Sequence, residues 1–147
     1  MKKLLPLAVL SATLLASCNV LGLPNGDVTG NIYNIPSLNG HALKVAIVGT
    51  SNDSAVTQQT ITGTNNGGYA ITLPANPTDG IYDVRVYVDD NDSGSYETAS
   101  DRHTQSSGMT LVYSTNGTGT IDKGWSEYKG ATKIKVGTPF RDYNVSF

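Results

Sequence analysis

The segment Ile81–Val88, which reads IYDVRVYV, carries the clearest structural signal in this sequence. A large apolar side chain stands at every second position from Tyr82 to Val88, and Asp83 and Arg85 occupy alternate positions. Such alternation is typical of a β-strand, because successive side chains of a strand point to opposite faces. Valine and tyrosine also favour strands over helices. We therefore predict a long strand here with one continuous apolar face.

Shorter alternating segments lie on both sides of this strand, and no stretch carries an amphipathic helical period over three turns. The segments are Val28–Ile32, Leu43–Ile47, Val56–Ile61, Tyr69–Leu73, Met109–Tyr113, Thr132–Val136 and Tyr143–Phe147. We expect Leu43–Ile47 to be buried on both faces and Val56–Ile61 to be an edge strand. The run Asn65-Asn66-Gly67-Gly68 predicts a hairpin, since Asn and Gly tolerate positive φ. Together these features predict an all-β fold, an antiparallel β-sandwich of about seven or eight strands.

Length and composition exclude several classes of protein. The chain has 147 residues, of which 38% are hydrophobic and 15% charged, so it fits a single folded domain rather than a disordered chain. Its one Cys excludes an internal disulfide framework and a cysteine-based zinc cluster. The net charge of −2 argues against a nucleic-acid partner.

The first eighteen residues have the pattern of an export signal. Lys2 and Lys3 precede an apolar run that is shorter than the roughly 20 residues of a membrane-spanning helix. The run ends at Leu15-Ala16-Ser17-Cys18, which resembles the lipobox of bacterial lipoproteins. That resemblance implies lipidation of the Cys18 thiol by a diacylglyceryl group, cleavage of residues 1–17 as a signal peptide, and further acylation, often with palmitate, of the new amino terminus.

Lipidation would place the protein in the cell envelope. Two or three acyl chains hold a protein at a membrane durably, whereas one chain binds marginally. Removing Lys2 and Lys3 leaves eight of the ten basic residues against twelve acidic ones, a net charge of about −4. In a cell with two membranes, Asn19 favours location at the outer membrane. In a cell with one membrane, we expect the protein at the extracytoplasmic face of that membrane. The alternative is a soluble secreted protein with Cys18 free. We expect residues 18–26 to form a tether and residues 27–147 a single domain.

The domain resembles the carboxypeptidase-regulatory-like modules of bacterial surface proteins. The matching pieces are Val28–Ile32, Leu43–Thr50, Asn66–Pro74 and Gly80–Val86. They lie within Asp27–Val88, a span of about half of the mature chain, and the region beyond Asp101 does not match. The resemblance implies a transthyretin-like or Ig-like sandwich that acts as a spacer, scaffold or binding platform, so we expect no enzymatic activity.

Acidic residues concentrate directly after the long strand. Seven of the twelve lie between Asp79 and Asp101. The run from Asp89 reads DDNDSGSYE and resembles the start of an EF-hand-type calcium loop, with Gly94 at the bend. The ligands that this resemblance implies are the side-chain oxygens of Asp89, Asn91, Ser93 and Glu97, the carbonyl of Ser95, and a closing carboxylate from Asp101.

The loop also departs from that pattern. Its twelfth position is Ser100 rather than Glu, Asp101 comes one residue late, and a strand leads into the loop where an EF-hand has a helix. Asp90 and Asp92 form a competing register. The alternative is a solvated acidic hairpin tip. Because the crowded carboxylates repel one another, a counter-ion is favoured, and we expect weak, extracellular-type calcium affinity.

A second functional hypothesis rests on the only Trp. Trp125 and Tyr128 could stack on a sugar ring if exposed, which would make the protein a carbohydrate-binding surface module. The alternative is that Trp125 closes one end of the core. His41 and His103 accompany no G-x-S-x-G elbow, so the sequence offers no catalytic residues. We predict a non-enzymatic envelope lipoprotein whose partners are the membrane and an envelope protein or glycan.

Overall fold

The computed structural model describes residues 27–62 and 67–147, and in these residues all regular secondary structure is β. The ten strands of this region are β1 (Val28–Tyr33), β2 (Leu43–Gly49), β3 (Ser54–Thr60), β4 (Gly68–Ile71), β5 (Gly80–Val88), β6 (Arg102–His103), β7 (Met109–Ser114), β8 (Gly124–Lys129), β9 (Thr132–Val136) and β10 (Val145–Ser146). The all-β class predicted from the alternating pattern is confirmed, with β6 and β8 in addition to the strands predicted.

The strands form two sheets, as a sandwich requires. The larger sheet has the order β3-β2-β5-β7-β8-β9, with β6 pairing to β5, and the smaller has the order β10-β1-β4. All strand pairs of these sheets are antiparallel except β1 with β10. Residues 102–147 contribute to both sheets, so they complete the sandwich rather than decorate it.

The main core contains one face of the larger sheet and the apolar residues of the smaller one. Val84 and Val86 of β5 are fully buried there together with Tyr69, Phe140 and Tyr143. Tyr69 donates a hydrogen bond of 2.5 Å to the Tyr143 carbonyl, which satisfies its buried hydroxyl. All the core residues in the described region lie beyond residue 27, so a protein that begins at Asn19 retains them.

The opposite face of β2 and β5 is covered as well. Here Ala46, Val48 and Tyr87 form a second apolar cluster with Tyr96, which belongs to the segment between β5 and β6. We call this segment, Asp89–Asp101, the acidic loop. Because the loop folds back over the sheet, β2 is buried on both sides, as its continuous apolar run predicts.

One prediction about a strand connection is wrong, and one strand was not predicted. Asn65–Gly68 does not close a hairpin, because β3 lies in the larger sheet and β4 pairs with β1 in the smaller one. Residues 63–66 themselves lie outside the described region, while the Gly67 carbonyl accepts a 2.6 Å hydrogen bond from Ile32. The strand β8 had no predicted counterpart, since its buried Ser126 and Glu127 break the apolar alternation.

The predicted signal peptide, Cys18 and the tether to residue 26 lie outside the described residues. In residues 27–62 and 67–147 no helix has the length and apolarity needed to cross a bilayer.

Candidate functional site

Strand pairing brings the two ends of the acidic loop together. Asp89 directly follows β5 and Asp101 directly precedes β6, and these strands pair with Val88 opposite Arg102. The Asp89 amide is fixed by a 3.0 Å hydrogen bond to the Ala42 carbonyl. Two carboxylates that are twelve positions apart in sequence therefore lie side by side at the base of the loop.

Asp89 is buried and only partly satisfied. It is 2% exposed, and its Oδ2 accepts hydrogen bonds from the Lys44 ammonium at 2.7 Å and from the Gly94 amide at 3.0 Å. Burial alone would raise the pKa of Asp89, but these contacts hold it below its ordinary value. The other oxygen, Oδ1, is buried without a hydrogen-bond partner among the described residues.

Asp101 is also buried and only partly hydrogen-bonded, and no cationic side chain of the described residues forms an ion pair with it. It is 6% exposed, and its Oδ2 accepts a 2.8 Å hydrogen bond from the Glu97 amide. Its Oδ1 is also buried and unpartnered in the described part of the chain. Burial raises the pKa of Asp101, and the negative charges of Asp89 and Glu97 raise it further, so its ionised form is disfavoured.

Asn91 and Glu97 are joined beside these carboxylates. The Asn91 side-chain amide donates to Glu97 Oε2 at 2.6 Å, and Ser100 Oγ donates to the same oxygen at 2.8 Å. These two hydrogen bonds lower the pKa of Glu97. The structure thus brings four of the predicted ligand residues into one neighbourhood: Asp89, Asn91, Glu97 and Asp101.

The two predicted serine ligands lie at the tip of the loop, where the Ser93 amide donates a 3.1 Å hydrogen bond to Asn91 Oδ1. Ser93 Oγ lies 3.2 Å from the Ser95 carbonyl, so these two oxygens satisfy each other at the exposed tip of the loop. Gly94 between them has a φ of 84°, the left-handed conformation that the EF-hand-like pattern requires of its sixth position.

The acids of the competing register contact Arg102 and His41. Arg102 contacts both carboxylate oxygens of Asp90, with distances of 2.6 and 2.8 Å, and lowers the pKa of Asp90 to about 2. His41 Nδ1 lies 3.0 Å from Asp92 Oδ1. The carboxylates of Asp90 and Asp92 are therefore engaged by Arg102 and His41, while the Asp90 amide contacts the Asp101 carboxylate.

Gln58 of β3 fastens the loop to the sheet, a role that sequence reasoning missed. Its Oε1 accepts from the Tyr96 amide at 3.1 Å and the Tyr87 hydroxyl at 2.9 Å, and its Nε2 donates to the Gly94 carbonyl at 2.5 Å. Tyr96 adds an edge contact to the Tyr87 ring, with centroids 5.2 Å apart. These contacts hold the loop closed against the sheet.

The donor set of the loop is mixed rather than purely acidic. No group of three or more His, Cys, Asp or Glu residues within 27–62 and 67–147 is arranged to hold a metal ion. The carboxylates of Asp89, Glu97 and Asp101 therefore do not form a metal-binding group by themselves, and a site at the base of the loop would also need the Asn91 amide and nearby hydroxyls. Oxygen donors of this kind suit a hard cation such as Ca²⁺, which tolerates irregular coordination.

Trp125 does not offer a stacking surface, contrary to the carbohydrate hypothesis. It is 9% exposed, belongs to the main core, and lies against Tyr82 and Tyr113 with ring centroids 5.2 Å away from each. Its indole nitrogen donates to the Pro74 carbonyl at 3.2 Å. The Trp125 side chain faces the core because Trp125 lies opposite Tyr113, a core residue, in the sheet register. Tyr128, three positions on, is half-buried and lines a surface groove.

No protein-family model matches this chain, and no curated protein or solved structure shows significant similarity to it.

Proposed function

We propose that this protein is a non-enzymatic, lipid-anchored β-sandwich of the cell envelope whose acidic loop binds calcium. The bound ion orders the loop, and the protein acts as a structural or interaction module. The observation that carries the calcium part is the pair of buried, unpartnered carboxylate oxygens, Asp89 Oδ1 and Asp101 Oδ1. A buried carboxylate oxygen without a partner is costly, and a cation removes that cost.

The neighbouring groups suit a bound calcium ion. Glu97 can supply Oε2, whereas Asn91 Oδ1 already accepts a 3.1 Å hydrogen bond from the Ser93 amide, so Asn91 would have to give up that bond to turn Oδ1 towards the ion. Calcium would neutralise the carboxylates, and water would complete its shell at the exposed side. We expect a dissociation constant of about 10⁻⁴–10⁻³ M, as in extracellular calcium modules.

The calcium proposal is tested by thermal unfolding of a protein comprising residues 19–147. Millimolar calcium should raise the melting temperature, because the ion binds the folded state. The double variant Asp89→Ala, Asn91→Ala should lose that rise, while Asn116→Ala, Asp122→Ala, which removes the same residue types elsewhere, should keep it. An unchanged wild-type melting curve in calcium would refute the proposal.

The envelope address rests on the lipobox-like residues Leu15-Ala16-Ser17-Cys18. Mass spectrometry of the protein from native membranes should find a chain that begins at Cys18 and carries diacylglyceryl and acyl groups. The variant Cys18→Ser should be recovered with its leader uncleaved, because the thiol is the acceptor of the lipid. A native protein with an intact leader or a bare thiol would contradict the anchor.

The groove beside Tyr128 supports a second candidate, a carbohydrate-binding surface module. It has a volume of about 330 Å³ and is lined by Ile81, Val112, Ile121 and Tyr128, with hydroxyls from Thr110 and Thr120. Ile81 is 52% exposed, so the groove offers an apolar floor with polar edges, which suits one sugar ring. Binding to a glycan array that is lost in Tyr128→Ala but kept in Tyr33→Ala would support this candidate; no binding to any glycan would refute it.

A further inference from the structure

The acidic loop already contains a cation of the protein's own. The Lys44 ammonium lies 2.7 Å from Asp89 Oδ2, and the side chains of Lys44 and Asp89 are 13% and 4% exposed. A methyl group at Gly94 would come within 4.0 Å of the same ammonium, so the bend of the loop lies directly over it. Lys44 reaches this place because it lies opposite Tyr87 in the register of β2 and β5, two residues before Asp89.

The ammonium satisfies only one of the two oxygens of Asp89. Oδ1 of the same carboxylate stays buried without a partner among the described residues, as does Oδ1 of Asp101. Both side chains are more than nine-tenths buried. Lys44 therefore pairs with Asp89, while the charge of Asp101 is opposed by the neighbouring charges of Asp89 and Glu97.

We infer that Lys44 is a built-in counter-ion that keeps the loop closed without calcium and sets the calcium affinity of the site by repelling the incoming ion. This inference rests on the proposed calcium function. An ion bound to Asp89 Oδ1 would lie roughly 5–6 Å from the ammonium, given ordinary ligand and hydrogen-bond lengths. A divalent and a monovalent cation repel each other appreciably at that distance. The lysine thus raises the calcium dissociation constant of the site towards the millimolar range.

The test is isothermal titration of residues 19–147 with calcium chloride. Lys44→Gln keeps an N–H donor for Asp89 Oδ2 but removes the charge, so it should bind calcium roughly ten- to a hundred-fold more tightly than wild type. Lys44→Arg keeps the charge and should bind as weakly as wild type. Lys129→Gln removes an exposed lysine at the end of β8 and serves as the matched control, with unchanged affinity.

A second measurement separates charge from structure. In EDTA, Lys44→Gln should melt at a lower temperature than wild type, because Asp89 loses its buried counter-ion, and calcium should raise its melting temperature more than that of wild type. Wild type that binds while Lys44→Gln binds no more tightly would overturn the role of Lys44 and leave the calcium function standing. If neither protein binds calcium at 20 mM, both the role of Lys44 and the proposed calcium function are refuted.

Discussion

Replacing Asp101 with Asn should change stability in opposite directions with and without calcium. Without the ion, Asp101 is a buried carboxylate whose charge is opposed by Asp89 and Glu97. Asn retains an oxygen that can accept from the Glu97 amide at the position of Oδ2, and it removes the charge. In EDTA we therefore expect Asp101→Asn to be more stable than wild type by about 1 kcal/mol.

With calcium the order should reverse. For a site with a dissociation constant of about 10⁻⁴–10⁻³ M, 10 mM calcium stabilises the folded state by about 1.4–2.7 kcal/mol. In a domain of this size that corresponds to a rise in melting temperature of roughly 4–12 °C. Asp101→Asn removes one of the two buried ligands, so most of this rise should disappear.

The assay is a pair of melting curves for each protein, one in EDTA and one in 10 mM calcium, with magnesium at the same concentration to control for ionic strength. Asp122→Asn, on the exposed surface, is the matched control and should show the wild-type calcium response. If Asp101→Asn lowered the melting temperature in EDTA, or left the calcium response intact, the assignment of Asp101 as an uncompensated ligand would be wrong.

Three further predictions test other parts of the account. Calcium affinity should fall as the pH is lowered towards the raised pKa of Asp101, because protonation of that carboxylate removes a ligand. In EDTA the free energy of unfolding should change in the opposite sense, since the contribution of Asp101 to stability is lost as the pH rises through its raised folded-state pKa. A pH-independent affinity would count against Asp101, and titration calorimetry in matched buffers gives the answer. Gln58→Leu should cost about 2–4 kcal/mol and speed amide exchange in the acidic loop, since three hydrogen bonds are lost, whereas Gln59→Leu next to it should not; equal effects in urea unfolding would contradict the fastening role. Gly30→Ala should cost about 3 kcal/mol, because its Cβ would lie 2.0 Å from the Tyr143 carbonyl oxygen, while Gly80→Ala meets nothing nearer than 3.8 Å; similar melting temperatures for the two variants would refute the close approach of β1 to Tyr143.

The sheet framework could be predicted from the sequence wherever alternation is strong. Ile81–Val88 corresponds to β5 and Thr132–Val136 to β9 because side-chain period and strand propensity agree there. β8 could not be found in this way. In that strand Glu127 shares the core-facing side with Trp125 and is 3% exposed, so a charged residue stands where the pattern requires an apolar one.

The candidate site was only half predictable. Asp89, Asn91, Glu97 and Asp101 are close in sequence, and a calcium-loop pattern marks their positions. Lys44 and Gln58 come from β2 and β3, and only strand register places them beside the loop. No local pattern indicates that Lys44 meets Asp89 rather than solvent, because the contact depends on pairing between residues 45 positions apart.

The tip of the loop differs from an EF-hand in the contacts that its serines make. Ser93 and Ser95 stand at the expected positions, yet their oxygens are engaged with each other. In an EF-hand the chain wraps around the ion, whereas here Gln58 and Tyr96 hold the loop against a sheet. The resulting arrangement places the buried oxygens at the base of the loop, where β5 and β6 pair.

Amide NMR of residues 19–147 during a calcium titration shows whether calcium binds at the base of the acidic loop. We expect saturable shifts in the millimolar range at Asp89–Asp101 and at Lys44, with little change at the exposed acids Asp79 and Asp122. Spectra that do not change up to 20 mM calcium, or that shift equally at every surface acid, would contradict it.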